Sequence, residues 1–171
     1  MIPPDKFLLE ETSLRTVSHY ETNAERFRDG TSGHDVSQNV AALLNNISSK
    51  PPFNILDLGC GPGRDLKTFR DAGHIATGLD GSRAFVDMAK RHSGCDVWLQ
   101  DFLELDLPTN RFDGIFANAV LFHVPSAKLE RVLSTLHRAL KNSGVLFTSN
   151  PRGDNREVWN GERFGAYYDL R

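Results

Sequence analysis

The feature that most constrains this chain is a regular alternation running from residue 54 to residue 148. Short apolar runs of strand length are separated by stretches with helical periodicity. Residues 54–58 (NILDL), 75–79 (IATGL), 96–99 (DVWL), 112–117 (FDGIFA) and 145–148 (VLFT) read as strands. Between them, Leu66 and Phe69 mark a short helix closed by Ala72 and Gly73, and Phe85, Val86 and Ala89 mark another over 83–91. The longest stripe is Leu129, Val132, Leu133, Leu136 and Leu140, over 126–142, with Ser126 as its cap and Gly144 just beyond. Strands separated by helices pair in parallel through right-handed crossovers. Buried parallel strands are apolar on both faces, as these mostly are. The expected class is α/β, a doubly wound and mostly parallel sheet with helices on both faces, which holds ligands at the carboxyl ends of its strands.

Pro51-Pro52 separates this region from a polar N-terminal one, because neither residue continues a helix. Residues 1–50 are expected to form a helical cap segment. One helix is expected over 19–28, where Tyr20, Ala24 and Phe27 share a face, and another over 35–47, with Asp35 as N-cap. Residues 51–153 form the core, and 154–171 an aromatic tail with Trp159, Phe164, Tyr167 and Tyr168. The tail is either a substrate-facing flap or a segment packed on structure outside this chain.

Composition removes several classes. With 20 basic and 22 acidic residues the formal charge is −2, which disfavours a nucleic-acid partner gripped by net charge. Two cysteines, Cys60 and Cys95, form neither a disulfide framework nor a zinc-ligand cluster, and no metal is expected. No stretch of about 18 consecutive apolar residues occurs, and the acidic, prolyl start is unlike a signal peptide. The expectation is a cytoplasmic protein of one domain, without a membrane partner.

The chemistry concentrates where strands end. Asp57-Leu58-Gly59-Cys60-Gly61-Pro62-Gly63 follows the first strand directly. Gly59, Gly61 and Gly63 remove side chains where the chain turns and a ligand comes close, and the next helix offers unpaired N–H groups. The run is not a Walker A loop, because no Gly-Lys-Ser/Thr follows, and its third glycine comes one residue early for a dinucleotide fingerprint. Asp80 and Gly81 end the second strand. Asp80 is placed either to accept both hydroxyls of a ribose or to cap the helix starting at Arg83. Asp101 and Phe102 follow the third strand, where a carboxylate can accept from an exocyclic amine and a ring can cover a base.

These four segments, in this order, resemble the motifs of class I S-adenosylmethionine-dependent methyltransferases. They are Ile55 to Gly63, Gly78-Leu79-Asp80-Gly81-Ser82, Gln100-Asp101-Phe102, and Phe112 to Asn118. The resemblance covers roughly residues 17 to 153 and implies a Rossmann-like fold with S-adenosyl-L-methionine as cofactor and S-adenosyl-L-homocysteine as product. It implies that Gly59, Cys60, Gly61 and Gly63 border the methionine portion and that Asp57 lies close by or orients the loop. It implies Asp80 and Gly81 at the ribose, Asp101 and Phe102 at the adenine, and Asn118 and Ala119 at the sulfonium end. Tyr20 and Phe27 are candidates for an aromatic cap over the site, or for simple packing. Such folds usually continue with a further helix and two strands that make an antiparallel edge. Here Arg171 comes before them, so an uncovered sheet edge is expected, and with it a homodimer through that edge.

Methyl transfer is an in-line displacement on an already activated carbon, so placement and exclusion of water matter more than a conventional catalytic group. His123, after the fourth strand, is the candidate for a base or an acceptor-orienting group, or else a structural histidine. Arg64 and Arg152 could attract an anionic group or be solvated surface residues. Cys60 reads as a packing residue. The expected function is methylation of a small organic acceptor at O, N or S. The alternatives are an RNA- or tRNA-modifying methyltransferase, or a non-catalytic cofactor-binding subunit. An NAD-dependent oxidoreductase is the weakest rival.

Overall fold

The structure is a computed structural model that describes residues 6–169. Five strands, β1 (Asn54–Leu58), β2 (Ile75–Asp80), β3 (Asp96–Leu99), β4 (Phe112–Asn118) and β5 (Leu140–Ser149), form one sheet in the order β3-β2-β1-β4-β5. All four pairings are parallel. The crossovers are α4 (Arg64–Asp71), α5 (Arg83–Ser93) and α6 (Ser126–Ala139). The order reverses between β1 and β4, and that switch point opens a crevice at the carboxyl ends of the strands.

Two apolar clusters sandwich the sheet. One joins Leu56, Leu58, Leu79 and Ile115 to Val132 and Leu136 of α6. The other joins Ile55, Val97 and Phe116 to Leu66 and Phe69 of α4, Val86 and Ala89 of α5, and Leu43 of α3 (Ser37–Leu44). Strand residues alternate between the two, as the period of two requires.

Three local expectations are corrected. The helix expected over 19–28 is two helices, α1 (Lys6–Thr22) and α2 (Ala24–Thr31). They part at Asn23, whose side-chain amide donates to the His19 carbonyl at 2.8 Å and competes for the helical acceptor. The helix expected to reach residue 142 ends at Ala139, because Leu140 is drawn into β5 opposite Phe112. β5 is correspondingly longer than 145–148, with a bulge before Val145. Neither proposed cap acts as drawn. Val36 holds the N-cap position of α3 while Asp35 accepts from the Ser37 amide, and Pro125 precedes α6 with no side-chain cap.

The tail is neither loose nor part of the main sheet. β6 (Arg156–Asn160) and β7 (Arg163–Tyr167) form an antiparallel hairpin of their own. Phe164 and Ala166 are buried, and β7 packs on α1 and on the turn Leu121–His123. Among the described residues no antiparallel strand joins the five-stranded sheet, and β5 has no strand on its outer side. No described helix is long and apolar enough to cross a membrane.

The start of α4 fixes the glycine turn against α5. Gly63 is the N-cap of α4 at φ +91°, and a Cβ there would lie 2.7 Å from the backbone Cα of Ala89. Backbone cannot yield as a side-chain tip can. Gly63→Ala is therefore expected to cost stability, on the order of 2 kcal/mol, from combined backbone strain and overlap. Urea unfolding checks this, and an unchanged midpoint would contradict the packing role.

Candidate functional site

A cavity of about 380 Å³ opens at the carboxyl ends of β1, β2 and β4 and is roofed by α1 and α2. Its floor is the turn after β1. The amides of Gly59 and Cys60 both donate to the Leu79 carbonyl, at 2.8 and 3.1 Å, which hooks the turn onto the end of β2. Gly59 and Gly61 take positive φ, at +69° and +51°. A Cβ on Gly59 would lie 2.3 Å from Val120, so only glycine allows the turn after β4 to approach.

Asp80 joins the parts. Its Oδ2 accepts from the Gly61 amide at 3.0 Å and its Oδ1 from the Ser82 amide at 2.9 Å. One carboxylate thus holds the glycine turn and the start of α5. Burial raises its pKa to about 6, against the pull of the Ser82, Gly61 and Gly81 amides. Capping of α5 falls instead to Ser82, whose hydroxyl accepts from the Phe85 amide. Glu21 of α1 accepts from the Ser82 hydroxyl at 2.6 Å and the Ala84 amide at 2.9 Å. These donors hold its carboxyl below the usual range and tie the roof to the wall.

Asn118, which ends β4, is fixed by its own oxygen. Oδ1 accepts from the Ser149 hydroxyl at 2.6 Å and from Asn39 Nδ2 at 3.0 Å. Ala119 follows at φ +55°, with its amide on the Ser149 carbonyl. His123 lies in the next turn. Its Nδ1 is 2.6 Å from the Phe164 carbonyl, which can only accept, so Nδ1 carries the proton. Nε2 is then unprotonated and accepts from the Tyr20 hydroxyl at 2.9 Å. Burial pushes the His123 pKa down to about 4, with the Phe164 carbonyl opposing. Thr16 Oγ1 accepts from the Phe164 amide at 3.1 Å, so one residue of β7 is bonded to both α1 and the His123 turn.

Of the residues singled out in the sequence, Gly59, Cys60, Gly61, Asp80, Gly81, Phe102, Asn118, Ala119 and His123 line this cavity, as do Tyr20 and Phe27 of the roof. Tyr20 and Phe27 meet edge to face at 5.5 Å, and both touch Phe85. Four residues fall outside the lining. Gly63 faces Ala89. Asp57 is buried beneath the turn, where desolvation holds its carboxyl well above its usual pKa and Oδ2 has no hydrogen-bond partner. The carboxylate of Asp101 is taken by the Ser13 hydroxyl at 2.6 Å and the Leu103 amide at 2.8 Å. Arg152 is exposed and pairs with Asp169. Arg64 does line the cavity, but its guanidinium is engaged by Asp65 and the Thr31 carbonyl. No group of three or more potential metal ligands occurs among the described residues.

Ser13, Thr16 and Val17 of the roof were not anticipated. With Tyr20 they occupy i, i+3, i+4 and i+7, one face of α1. That spacing is in the sequence, but the face is half polar, so a search for apolar periodicity passes over it.

A family model described as a methyltransferase domain matches residues 55–144. The chain belongs to this methyltransferase family. Among curated relatives, it is 32% identical over 149 residues to the sterol 24-C-methyltransferase erg-4 of Neurospora crassa, spanning 77% of this chain and 38% of that one. It is 27% identical over 164 residues to the malonyl-[acyl-carrier protein] O-methyltransferase of Enterobacter lignolyticus, spanning 93% and 61%. The chain therefore covers less than two thirds of either relative. Among solved structures, the 1,6-didemethyltoxoflavin-N1-methyltransferase of Burkholderia thailandensis superposes with a TM-score of 0.75 at 22% identity, over 99% of this chain and 75% of that one. A TehB-like S-adenosylmethionine-dependent methyltransferase from Corynebacterium glutamicum gives 0.63 at 28%, over 75% and 71%. The toxoflavin-enzyme likeness is one of fold.

The tautomer assigned to His123 has a direct consequence. Because its pKa lies near 4, the ring is expected to stay neutral, with the proton on Nδ1, when the pH is lowered from 8 to 5.5. Imidazole ¹⁵N shifts report this, and an imidazolium signal for His123 at pH 5.5 would contradict the arrangement.

Proposed function

We propose that this chain binds S-adenosyl-L-methionine in the cavity and transfers its methyl group to a small organic acceptor. The observation that carries the reading is Asp80. It is a buried carboxylate at the cavity wall, raised to a pKa of about 6, with lone pairs beyond those used by the Gly61 and Ser82 amides. Two vicinal hydroxyls of a ribose would supply the donors that such a group lacks. Gly59, Cys60, Gly61 and Gly81 leave the adjoining floor free of projecting side chains, and a Cβ on Gly81 would press on Val17 of the roof at 3.0 Å. The residues present therefore fit the cofactor. Relatives solved with S-adenosylhomocysteine on the same fold support the reading.

When bound, the cofactor supplies an electrophilic methyl group on a sulfonium. The protein's part is binding, orientation and exclusion of water. Asp80 would hold the ribose, while Phe102 and Leu103 would cover the base. Asp101 would meet the adenine amine with whatever acceptor capacity the Ser13 hydroxyl leaves. Asn118 and Ala119, fixed through Ser149, would border the sulfur end. Tyr20, Phe27 and Phe85 would shield the reacting carbon from water, with Tyr20 oriented by His123. His123 acts here by holding the Tyr20 proton, since its low pKa makes it a weak base in the resting site. Among the described residues, Arg64, paired with Asp65, is the single Lys or Arg in the lining, which with a net charge of −2 favours a small acceptor over RNA.

Titration calorimetry with S-adenosylhomocysteine tests the reading. Asp80→Ala is expected to weaken binding by about 10- to 100-fold, the worth of hydrogen bonds to a charged group. Only ionised Asp80 accepts both hydroxyls, so the wild-type affinity should be level above pH 7 and fall below pH 6, by up to about tenfold per pH unit. A flat profile together with an unaffected Asp80→Ala variant would refute the assignment. Tight binding without turnover on any acceptor would favour the non-catalytic alternative.

A further inference from the structure

The side-chain amide of Asn118 is only half used. Asn118 ends β4, is half-buried and borders the cavity. Its Oδ1 accepts two hydrogen bonds, from the Ser149 hydroxyl at 2.6 Å and from Asn39 Nδ2 at 3.0 Å. Neither Ser149 nor Asn39 is part of the cavity lining, so Oδ1 is directed away from the cavity, at β5 and α3. The distances identify that atom as the oxygen. A separation of 2.6 Å suits an O–H···O bond and is shorter than N–H···O bonds run. The Ser149 hydroxyl oxygen also accepts from the Ala119 amide at 3.1 Å, which leaves its own proton to be given to Asn118.

Nδ2 is the other branch of the same planar amide. Among the described residues it has no hydrogen-bond partner, since both bonds of the side chain go to Oδ1. Nor is it sealed inside the protein, because the buried side-chain atoms left without a partner are Asp57 Oδ2 and Arg163 Nε. Two N–H donors are therefore unpaired and accessible on a residue that borders the cavity. The two bonds on Oδ1 hold the amide plane and keep those donors in one direction. A fixed, unpaired donor favours a ligand that brings an acceptor atom to it.

We propose that Asn118 Nδ2 donates to the nucleophilic oxygen of the methyl acceptor, so that transfer is to oxygen rather than to nitrogen or sulfur. This inference rests on the methyl-transfer reading, which puts Asn118 at the sulfur end of the cofactor. An ionised oxygen has lone pairs to spare, and it can accept from Asn118 with one while it attacks with another. A neutral amine has a single lone pair, and a bond to Asn118 would consume the pair that must attack. Sulfur has further pairs but accepts hydrogen bonds weakly. The titratable side chains that could act as a base here are otherwise placed. His123 Nε2 is taken by the Tyr20 hydroxyl, Asp65 by Arg64 and Asp80 by Gly61 and Ser82, while His34 is exposed. The acceptor class is accordingly an acidic hydroxyl, as in a phenol, an enol or a carboxylic acid, which gives its proton to water before transfer. The O–CH3 bond forms as the S–CH3 bond breaks, and the bonding pair stays on sulfur. An oxyanion and a sulfonium thus give an ether or ester and a thioether.

The test uses the full chain saturated with S-adenosylhomocysteine and two probes of near-equal shape, 4-nitrophenol and 4-nitroaniline. The buffer is alkaline, so the phenol is ionised, and the nitro group common to both cancels. By calorimetry the phenolate should bind about tenfold or more tightly than the aniline, the worth of a hydrogen bond to a charged group. Asn118→Asp is the decisive variant. It keeps the oxygen that Ser149 and Asn39 bond and exchanges Nδ2 alone for a second acceptor, so it should reverse the preference. Asn118→Ala adds no charge and should abolish it. Binding of S-adenosylhomocysteine by each variant reports an intact cavity, and if Asn118→Ala does not bind it, Asn118→Asp decides alone. Equal binding of the two probes by wild type, no binding of the phenolate, or a preference that survives Asn118→Asp would overturn the proposal. So would a loss of S-adenosylhomocysteine affinity in Asn118→Ala with that for 5′-methylthioadenosine unchanged, which would assign the donor to the cofactor's carboxylate. Wild-type protein that binds the nucleoside but shows no phenolate preference fails this inference alone. Failure to bind the nucleoside removes the parent reading and this one with it.

Discussion

The site depends on one buried carboxylate. Asp80 stands at the end of β2, and its two oxygens take the amides of Gly61 and Ser82. Without those bonds the glycine turn and the first turn of α5 would have no common anchor. The arrangement is costly in the free protein. A carboxyl raised from 3.8 to about 6 destabilises the fold by about 3 kcal/mol once ionised, the loss accruing as pH rises from about 4 to about 6. A ligand that donates to Asp80 recovers that free energy on binding. In the proposed role of Asp80, stability and affinity would pull against each other at this residue.

Around that anchor the cavity is closed by elements far apart in the chain. α1 contributes Thr16, Tyr20 and Glu21, and each reaches a different partner. Thr16 meets β7, Tyr20 meets the turn after β4, and Glu21 meets the start of α5. Phe164 is the crossing point, because its amide is bonded to Thr16 and its carbonyl to His123. The roof and the terminal hairpin are consequently one polar assembly laid over the sheet. A neutral, oriented His123 follows from it, since a main-chain carbonyl can only accept and burial opposes a second proton.

Much of this was legible before the fold was known. The five strands, their parallel pairing and the helices between them follow from apolar runs of strand length alternating with helical stripes, whereas the order of the strands in the sheet came only with the structure. The glycine turn and Asp80 were found because they stand at the ends of strands, and Asn118 because of the resemblance to the methyltransferase motifs. Boundaries were less legible. Asn23 broke a helix through a side-chain hydrogen bond that periodicity does not register, and Leu140 left its helical stripe to pair with Phe112. Ser13, Thr16 and Val17 escaped notice because a half-polar helix face has no apolar signature. Asp57 and Gly63 belong to the motif yet lie outside the cavity lining. The motif marks a turn, and which of its residues face inward is set by packing against α4 and α5.

The sequence by itself determined the class of fold and the strand ends at which the candidate site lies, because hydrophobic periodicity and glycine spacing are local properties of the chain, and its four ordered motifs carried the resemblance to the family. Only the tertiary structure decided which nitrogen of His123 carries the proton, what Asp101 is bonded to, and that the Thr16 hydroxyl meets the Phe164 amide. These are contacts between residues dozens to more than a hundred positions apart. No local pattern encodes them, and burial, which sets their charge states, exists only once the elements have packed.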